Sequence, residues 1–550
     1  MKVLILGGYG VFGGRLAEML SDIGGLELLI CGRNLERAKA FCKAYQGEAK
    51  AIPFQLDRIN IAQALWSEKP HIVVDASGPF QDYGDNRYYV IEHCIDAGVN
   101  YLDLADAADF VFGVSRFDEE AKNAEVFALS GVSSFPVLTS AVLRKMSKNM
   151  EVLSVTGGVA PSPYAGIGLN VMRAILSYAG TNIKLHRDGK PAEATGLGES
   201  KRYTIAVPGK IPLRNIHFSL VDVPDLQTIP AEYEDLQDIW MGAGPVPEIL
   251  HRCLNLAAKI RARFGLPSMA PFAKLFHKVL STLNFGEHRG GMFVEARGLR
   301  DGKAFTQSWH LLAEGDDGPY IPSMAVEAII RKCVEGESPA VGAGAADLEL
   351  EDYGRSFNAR SIYTGFRSEI SQDQPIYRQA LGPAFEDLPP KVKAIHDSTQ
   401  TRRWAGTAKV ERGTGVLARM IGKIIGFPDA ADIVPVHVTM ACENGGELWT
   451  RNFDGRTFSS FQEMGTKRNQ HLVVESFGMI SVALALLVED DRLYLVPRRW
   501  AFLGMPLPKF MLPKGSSFET EHKGKFCFDV EISAPIVGLI VAYKGQLIEQ

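Results

Sequence analysis

Three glycines in the sequence have the spacing of a turn that binds phosphate. Gly8, Gly10 and Gly13 follow the order G-x-G-x-x-G, between a short apolar run and a stretch with apolar side chains at helical spacing. In a strand–turn–helix unit, such glycines let the backbone approach a pyrophosphate, and the helix N-terminus attracts its charge. The pattern predicts a dinucleotide site, and a glycine-rich turn that packs without a ligand is the alternative. The predicted contacts in this turn are Gly8, Gly10, Val11, Phe12 and Gly13.

The residues after the second apolar run indicate which dinucleotide the site prefers. Sites for NAD usually carry an acid there, which bonds the ribose 2′-hydroxyl. This sequence has Cys31-Gly32-Arg33-Asn34 instead, and Arg37 follows one helical turn later. Because a guanidinium group donates two parallel hydrogen bonds to a phosphate, Arg33 and Arg37 favour NADP over NAD. The alternative is that both arginines belong to a solvated helix start.

Polar residues follow further apolar runs, at the places where strands would end. Alternating strand and helix patterns over residues 1–145 predict a Rossmann-type doubly wound parallel sheet, an α/β fold. In such sheets, ligands bind beyond the carboxyl ends of the strands. The loops after the third and fourth predicted strands should therefore contribute to the cofactor site. The predicted contacts in these loops are Asp57, Ser77, Gly78 and Pro79.

Two residues in the same group of loops are candidates for the chemical step. Asp106 follows the fifth predicted strand, where a carboxylate could act as acid or base or hold an amino group. Tyr83 lies in the loop after the fourth strand, on the side expected for a nicotinamide. The alternatives are a carboxylate that caps the next turn and an aromatic side chain that only packs. No cluster of residues has the spacing of a metal site.

Length and composition set limits on the class of protein. A chain of 550 residues is too long for one core, so several domains are expected. The net charge of −5 gives no bulk attraction to nucleic acid. The seven cysteines include no C-x-x-C pair, which argues against a disulfide framework and a cysteine zinc site. The apolar runs are too short to span a bilayer, and we expect a reducing, cytoplasmic location.

The pattern changes twice further along the chain. Residues 146–319 predict an α+β middle domain for substrate binding or dimerisation, and a homodimer stays open. Within it, the segment 246–285 is helical and basic, and fits either a helix that covers a sheet or one that lies on a membrane surface. A linker is predicted over residues 340–375, which are rich in glycine and alanine and then acidic. Residues 376–550 predict a C-terminal α+β domain with an antiparallel sheet.

Four stretches of the first 145 residues resemble a known family. GGYGVFGGR, DASGPFQDYG, HCIDAGVNYLDLAD and SGVSSFPVLTSAV are similar to the NADP-binding domain of the saccharopine dehydrogenase-like oxidoreductases. This resemblance implies a nicotinamide cofactor, and a substrate resembling an amino acid, a polyamine or a lipid. It also implies that a helix, assigned to residues 320–336, returns to the first domain. WTRNFDGRTF and RRWAFLGMPLP resemble a bacterial C-terminal domain of unknown function.

Two hypotheses for the function follow from these patterns. The first is an NADP-dependent oxidoreductase that transfers hydride to an imine or carbonyl, or to an activated double bond, of a small molecule. The second is a cofactor-bound scaffold without catalysis, whose C-terminal domain binds an apolar ligand or a protein partner. The two differ in whether NADPH is consumed when candidate substrates are added.

Overall fold

The computed structural model describes residues 1–166, 168–245, 247–282, 286–369, 371 and 373–550. The contacts divide the chain into two units. Unit 1 comprises Met1–Arg202 and His217–Tyr363, and unit 2 comprises Tyr203–Ile216 and Thr364–Gln550. Most of the residues expected to form a middle domain thus group with the first 145, whereas a short segment of them belongs to unit 2.

The first part of unit 1 is the predicted parallel sheet, with helices between its strands. The strands are β1 (Lys2–Leu6), β2 (Glu27–Gly32), β3 (Lys50–Gln55), β4 (Ile72–Asp75), β5 (Asn100–Asp103) and β6 (Phe127–Leu129). The helices are α1 (Val11–Met19), α2 (Leu35–Ala44), α3 (Ile61–Glu68), α4 (Tyr89–Asp96), α5 (Ala108–Gly113), α6 (Asp118–Asn123) and α7 (Thr139–Ser147).

The strand order of this sheet places a ligand site at the end of β1. With β15 (Gly342–Gly344) at one edge, the order is β15-β6-β5-β4-β1-β2-β3, and neighbouring strands run parallel. Val3, Leu4 and Ile5 are fully buried, as expected for a central strand covered by helices on both faces. The chain order reverses between β1 and β4, and the crevice beyond such a switch point is where doubly wound sheets bind ligands. The predicted α/β fold is confirmed.

Most strands of a mixed sheet lie in the second part of unit 1. Its strands and helices are β7 (Glu151–Ala160), α8 (Leu169–Tyr178), β8 (Asn182–Arg187), β9 (Lys190–Thr195), β10 (Ser200–Thr204), β11 (Asn215–Leu220), α9 (Asp225–Glu232), β12 (Asp238–Ala243), α10 (Glu248–Phe264), α11 (Ala273–Thr282), β13 (Arg289–Arg300), β14 (Lys303–Glu314), α12 (Ile321–Glu335), α13 (Gly354–Asn358) and β16 (Ile362–Ser368). The sheet order is β10-β11-β12-β7-β13-β14-β16, and β8 and β9 form a separate hairpin. β7 runs parallel to β12 and antiparallel to β13.

Helix α12, within the segment 320–336, lies against the parallel sheet's first helix. The Ser323 hydroxyl donates to the Phe12 carbonyl at 3.2 Å, and the Arg331 guanidinium donates to the Met19 carbonyl at 2.7 Å. Arg331 also pairs with Asp22 at 2.6 Å. These bonds connect two parts of unit 1 that are far apart in sequence.

The stretch 340–375, for which the sequence predicts a linker, contains regular structure where it is described. β15 adds to the parallel sheet beside β6, and α13 and β16 follow. Glycine and alanine give β15 the composition of a linker, but strand pairing uses the backbone and needs no large side chain.

Helices α10 and α11 expose apolar side chains next to basic ones. The exposed apolar residues are Ile249, Leu256, Ile260, Phe264, Leu275 and Val279. Residues 246 and 283–285 of the segment predicted to be basic and helical lie outside the described residues. Among the helices that are described, none is long and apolar enough to cross a membrane.

Unit 2 is built on an antiparallel sheet that closes into a barrel. Its helices and strands are α14 (Ile376–Leu381), α15 (Pro390–His396), β17 (Arg402–Arg412), α16 (Val416–Ile425), β18 (Ala431–Glu443), β19 (Gly446–Phe453), β20 (Arg456–Met464), β21 (Val473–Phe477), β22 (Ile480–Glu489), β23 (Arg492–Phe502), β24 (Met505–Pro506), β25 (Phe518–His522), β26 (Lys525–Ala534) and β27 (Gly538–Glu549). β17 pairs with β27 and β22 pairs with β23, which closes the ring. The predicted antiparallel sheet is confirmed, and its closure is an additional feature.

A buried arginine connects the early segment of unit 2 to the rest of that unit. Arg367 donates from Nε to the Ala206 carbonyl at 2.6 Å and from Nη2 to the Ala380 carbonyl at 3.0 Å. Burial lowers the pKa of Arg367 to about 10. Because buried carbonyls need partners, this side chain fixes Tyr203–Ile216 in place.

We expect Arg367→Met to loosen the segment Tyr203–Ile216. The change leaves two carbonyls without their donor, and each unpaired buried group costs about 1–3 kcal/mol. Hydrogen–deuterium exchange followed by mass spectrometry should show faster exchange in residues 203–216. Arg403→Met, at an exposed position of β17, is the matched control and should exchange like the parent protein. Equal exchange in both variants would contradict the role of Arg367.

Candidate functional site

The glycine turn after β1 leaves no room for side chains at its glycine positions. A Cβ atom on Gly13 would lie 2.5 Å from the Gly7 carbonyl oxygen, and one on Gly10 would lie 2.9 Å from the same oxygen. A Cβ on Gly8 would lie 3.0 Å from the Ile30 Cα. Gly10 is also the N-cap of α1, and no side chain caps this helix. The first turn of α1 therefore keeps its N–H groups for a ligand, with Val11 exposed beside them.

The end of β2 carries two exposed arginines and an aromatic ring. Arg33 and Arg37 are exposed, and the Arg33 guanidinium has no bonded partner within the described residues. The Tyr9 hydroxyl accepts from the Asn34 backbone N–H at 3.1 Å, and its ring lies 5.0 Å from the Arg37 guanidinium carbon. A Cβ on Gly32 would collide with this ring. This surface is cationic and aromatic and fits a phosphate next to a ribose.

The loop after β4 surrounds a buried carboxylate. Asp75 is fully buried and accepts from the Ser77 backbone N–H at 3.0 Å and from the Ser77 hydroxyl at 2.5 Å. The Tyr83 hydroxyl lies 2.7 Å from the Ser77 hydroxyl oxygen and 3.4 Å from both Asp75 oxygens. Burial raises the pKa of Asp75, against the effect of the bonds from Ser77, and it also raises the pKa of Tyr83. Tyr83 is therefore a neutral hydroxyl at physiological pH.

Arg58 connects this network to the loop after β3. Its guanidinium carbon lies 3.9 Å from the centre of the Tyr83 ring, and its Nε lies 3.8 Å from an Asp75 oxygen. Asp57 caps the short turn that carries Arg58, since its carboxylate accepts from the Ile59 backbone N–H at 3.4 Å. Asp57 thus positions Arg58, and the loops after β3 and β4 meet at Tyr83.

A second buried carboxylate lies beside the first. Asp103 ends β5 opposite Asp75, the end of β4. Its Oδ1 accepts from the Gly131 N–H at 2.8 Å, the Ala105 N–H at 2.9 Å and the Ser130 hydroxyl at 3.0 Å, and its Oδ2 has no partner in the described structure. Burial raises the pKa of Asp103 to about 7, and the Asp75 charge adds to the effect. Such a group can exchange a proton near neutral pH.

Asp106 occupies a more open position than the two buried carboxylates. It is exposed and accepts a bond from Gln81 Nε2 at 3.1 Å, so it faces the loop that carries Tyr83. Helix α8 approaches the same loop, because Asn170 Nδ2 donates to the Gly78 carbonyl at 3.1 Å. The start of α8 also lies near the glycine turn, since a Cβ on Gly168 would be 3.8 Å from Val11. The parallel sheet and α8 therefore border one cleft in unit 1.

The structure groups the sequence-predicted residues and adds others. Ser77 and Tyr83 come together on Asp75, and Asp57 reaches them through Arg58. Gly78 and Pro79 lie on the same loop, between the sheet and α8. The residues that sequence reasoning missed are Tyr9, Arg58, Asp75 and Asn170. An aromatic inside the glycine motif and an acid two residues before Ser77 were available signals for Tyr9 and Asp75, whereas nothing local marks Asn170.

Comparisons with known proteins agree with this geometry in two parts of the chain. Residues 3–129 match the family model described as the saccharopine dehydrogenase NADP binding domain. Residues 388–547 match the model of a domain of unknown function, DUF4166. Both resemblances expected from the sequence are confirmed. The N-terminal part is therefore an NAD(P)-binding domain of the oxidoreductase type. No curated protein matches the sequence.

Several solved dehydrogenases are similar to the chain at low identity. The structure of amine dehydrogenase from Mycobacterium smegmatis is 12% identical, covers 62% of this chain and 94% of its own, and has a TM-score of 0.33. The WlbA (WbpB) dehydrogenase from Thermus thermophilus, in complex with NAD and alpha-ketoglutarate, is 11% identical. The match covers 66% of this chain and 93% of that dehydrogenase, with a TM-score of 0.29. The myo-inositol 2-dehydrogenase from Lactobacillus plantarum is 8% identical. The match covers 64% of this chain and 92% of that dehydrogenase, with a TM-score of 0.28. Nothing about the reaction follows from similarity this low.

Replacing Asp103 by Asn should change how stability depends on pH. The folded-state pKa of about 7 lies above the usual 3.8, so the folded protein binds this proton more tightly than the unfolded chain. The contribution of the Asp103 proton to the free energy of unfolding is fully present below about pH 4. It is lost as the pH rises through about 7. Asparagine keeps an acceptor for the three bonds to Oδ1 and carries no charge. We expect Asp103→Asn to be more stable than the parent at pH 8, by a few kcal/mol at most, and similar to it at pH 4.

Urea unfolding at the two pH values measures this effect. Comparison with the parent removes the contribution of other carboxyls with raised pKa values, such as Asp225. Asp85→Asn, at an exposed position, is the control. It should leave the pH dependence of the free energy of unfolding unchanged. If Asp103→Asn follows the parent curve throughout, Asp103 does not hold a proton near neutral pH.

Proposed function

We propose that the protein is an NADP-dependent oxidoreductase that transfers hydride to the imine or carbonyl carbon of a small molecule. The observation that supports it most is the glycine turn. The glycines of this turn have no space for side chains, and the turn lies beside a strand end with two exposed arginines and no carboxylate. An activated double bond on a lipid-like substrate is the second candidate for the reacting group.

Different residues of the cleft bind different parts of the cofactor. The glycine turn and the N-terminus of α1 hold the pyrophosphate, and Arg33 and Arg37 bind the 2′-phosphate. Asp57, after β3, borders the adenosine half, and the loop Ser77-Gly78-Pro79, after β4, borders the nicotinamide half. When bound, NADPH supplies the hydride. The donor set fits this dinucleotide, because the cationic groups lie where a 2′-phosphate has to be neutralised.

When hydride adds to the carbon, the chain must supply a proton to the nitrogen or oxygen bonded to it. Tyr83 is our candidate, since its hydroxyl is neutral and is held by Ser77 and Asp75. Asp106 is exposed across the same loop and provides a carboxylate for a cationic amino group of the substrate. The substrate enters between the parallel sheet and α8.

The scaffold hypothesis differs in one measurable outcome. A scaffold binds NADPH without consuming it, whereas an oxidoreductase consumes it with one class of substrate. The loss of NADPH absorbance over a panel of imines, ketones and enoyl esters separates the two. Binding of NADPH without turnover on any member of the panel would favour the scaffold.

Replacing Arg33 by Asp should shift the preference from NADPH toward NADH. The lost charge-assisted bonds are worth roughly 1.5–3 kcal/mol, which is about 10- to 100-fold in NADPH affinity. The new carboxylate repels the 2′-phosphate and can accept from a 2′-hydroxyl. Arg37 retains part of the affinity, so adding Arg37→Ala should deepen the loss.

Isothermal titration with each dinucleotide measures both effects. Arg263→Asp, an exposed change on α10, is the control for the added negative charge. An NADPH dissociation constant within about a factor of two of the parent value in folded Arg33→Asp would remove the main support for NADP.

Replacing Tyr83 by Phe tests the assignment of the proton donor. The ring under Arg58 is kept and only the hydroxyl is removed, so we expect kcat to fall by about 100-fold or more, with unchanged NADPH affinity. Tyr45→Phe removes a hydroxyl that bonds the Ala17 carbonyl and is the matched control.

Asp106→Asn should act differently from Tyr83→Phe. It should raise KM for substrates with an amino group and leave kcat near the parent value, because it removes a binding charge. Steady-state kinetics on the best substrate of the panel distinguish the two roles. Full kcat in Tyr83→Phe would show that the proton comes from elsewhere.

A further inference from the structure

The barrel of unit 2 encloses a cavity. Its volume is about 330 Å³, and most of its lining residues are aliphatic or aromatic. Examples on three strands are Val438, Leu495 and Phe528. Protein interiors are normally packed to the density of organic crystals, and cavities of this size and lining are typical of ligand sites.

The cavity reaches the surface at an apolar mouth. Phe510 and Ile536 line the cavity and are nevertheless 75% and 95% exposed. Helix α16 lies at the same opening, with Ile421 and Ile425 on the lining and Ile424 exposed on its outer side. These apolar side chains are exposed to water, so contact with an apolar molecule at the mouth removes apolar surface from water and is favourable.

The polar groups of the lining form pairs. Arg451 donates to the Ser460 hydroxyl at 2.8 Å and pairs with Glu475 at 3.3 Å. Ser460 donates to Glu475 at 2.6 Å. Arg451 and Glu475 keep 13% and 11% of their side-chain surface, and both line the cavity. The ligand therefore meets a polar group whose charges already cancel.

The remaining interior charges disfavour an anionic ligand. Glu519 also lines the cavity and contacts His396, and Gln462 accepts from the Tyr377 hydroxyl at 3.1 Å. Lys514 and Glu531 also line the cavity, but both are exposed to solvent and have opposite charges. Deeper in the cavity, a carboxylate would lie near the buried Glu475 and Glu519, with the Arg451 cation already paired. Burying a charge without a free partner is costly, whereas a hydroxyl or carbonyl needs only one hydrogen bond.

We propose that the barrel binds a neutral amphiphile, with an apolar chain and one uncharged hydrogen-bonding end. Long-chain alcohols, aldehydes and esters belong to this class, and fatty acids do not. The apolar chain fills the aliphatic cavity, and the polar end bonds to the Arg451–Ser460–Glu475 group. This inference goes beyond the proposed oxidoreductase function, and its test needs no nucleotide.

The first experiment compares two ligands of equal chain length on the full chain. The fluorescence of N-phenyl-1-naphthylamine, an apolar dye, reports occupancy of the cavity. At pH 8, dodecan-1-ol should displace the dye at least about tenfold more tightly than dodecanoate, which is ionised there. Failure of the dye and of dodecan-1-ol to bind would overturn the proposal, and so would equal competition by the two ligands.

A second experiment uses the charge inside the barrel. Glu475→Gln leaves the Arg451 cation without its counter-charge, so dodecanoate should gain affinity and the preference for the alcohol should shrink or reverse. Glu463→Gln, on the outer side of β20, is the matched control and should keep the parent preference. An unchanged preference in Glu475→Gln would contradict the assigned polar end.

Filling the cavity gives an independent check. Leu495→Trp and Val482→Trp each add volume to the lining, and either should abolish displacement by dodecan-1-ol. Each variant is assessed only if it melts cooperatively like the parent protein. Undiminished binding in a folded variant of this pair would place the dye and the alcohol outside the barrel and overturn the proposal.

Discussion

The close approach of the glycine turn to the neighbouring backbone is the constraint on which the cleft depends. A Cβ on Gly7 would lie 2.7 Å from the Ala76 carbonyl oxygen, and one on Gly13 would lie 2.5 Å from the Gly7 oxygen. Only backbone without side chains allows β1, α1 and the end of β4 to pack this closely. The same packing brings the N-terminus of α1 beside the loop that holds Ser77 and Tyr83. The candidate phosphate site and the candidate proton donor are therefore positioned by one set of contacts.

Much of the cleft could be predicted because it follows from local patterns. The glycine spacing, the apolar strand β1 and the missing acid after β2 are all read within a few dozen residues. Parallel strands then place every loop of interest at one edge of the sheet. This logic identified Ser77, Tyr83 and Asp106 as neighbours of the site, although their chemical roles stay predictions.

The remaining residues of the cleft depend on contacts that no local pattern contains. Arg58 is assigned to the site by its position over the Tyr83 ring, and Asn170 by one bond to the Gly78 carbonyl. The raised pKa of Asp103 arises from burial, and the burial of this side chain cannot be read from the local sequence. Closure of the barrel is a similar case: alternating residues predict strands, but the pairing of β17 with β27 joins residues far apart in the chain.

That pairing also sets the order in which unit 2 can be completed during synthesis. Val541–Glu549 of β27 pair with Trp404–Arg412 of β17, so the ring cannot close while its last strand is inside the ribosome. Tyr203–Ile216, the early segment of the same unit, leaves the ribosome long before its partners exist. Domains generally fold from the N-terminus as they emerge. Here the barrel must wait for its last strand, and β17 stays without that partner in the meantime.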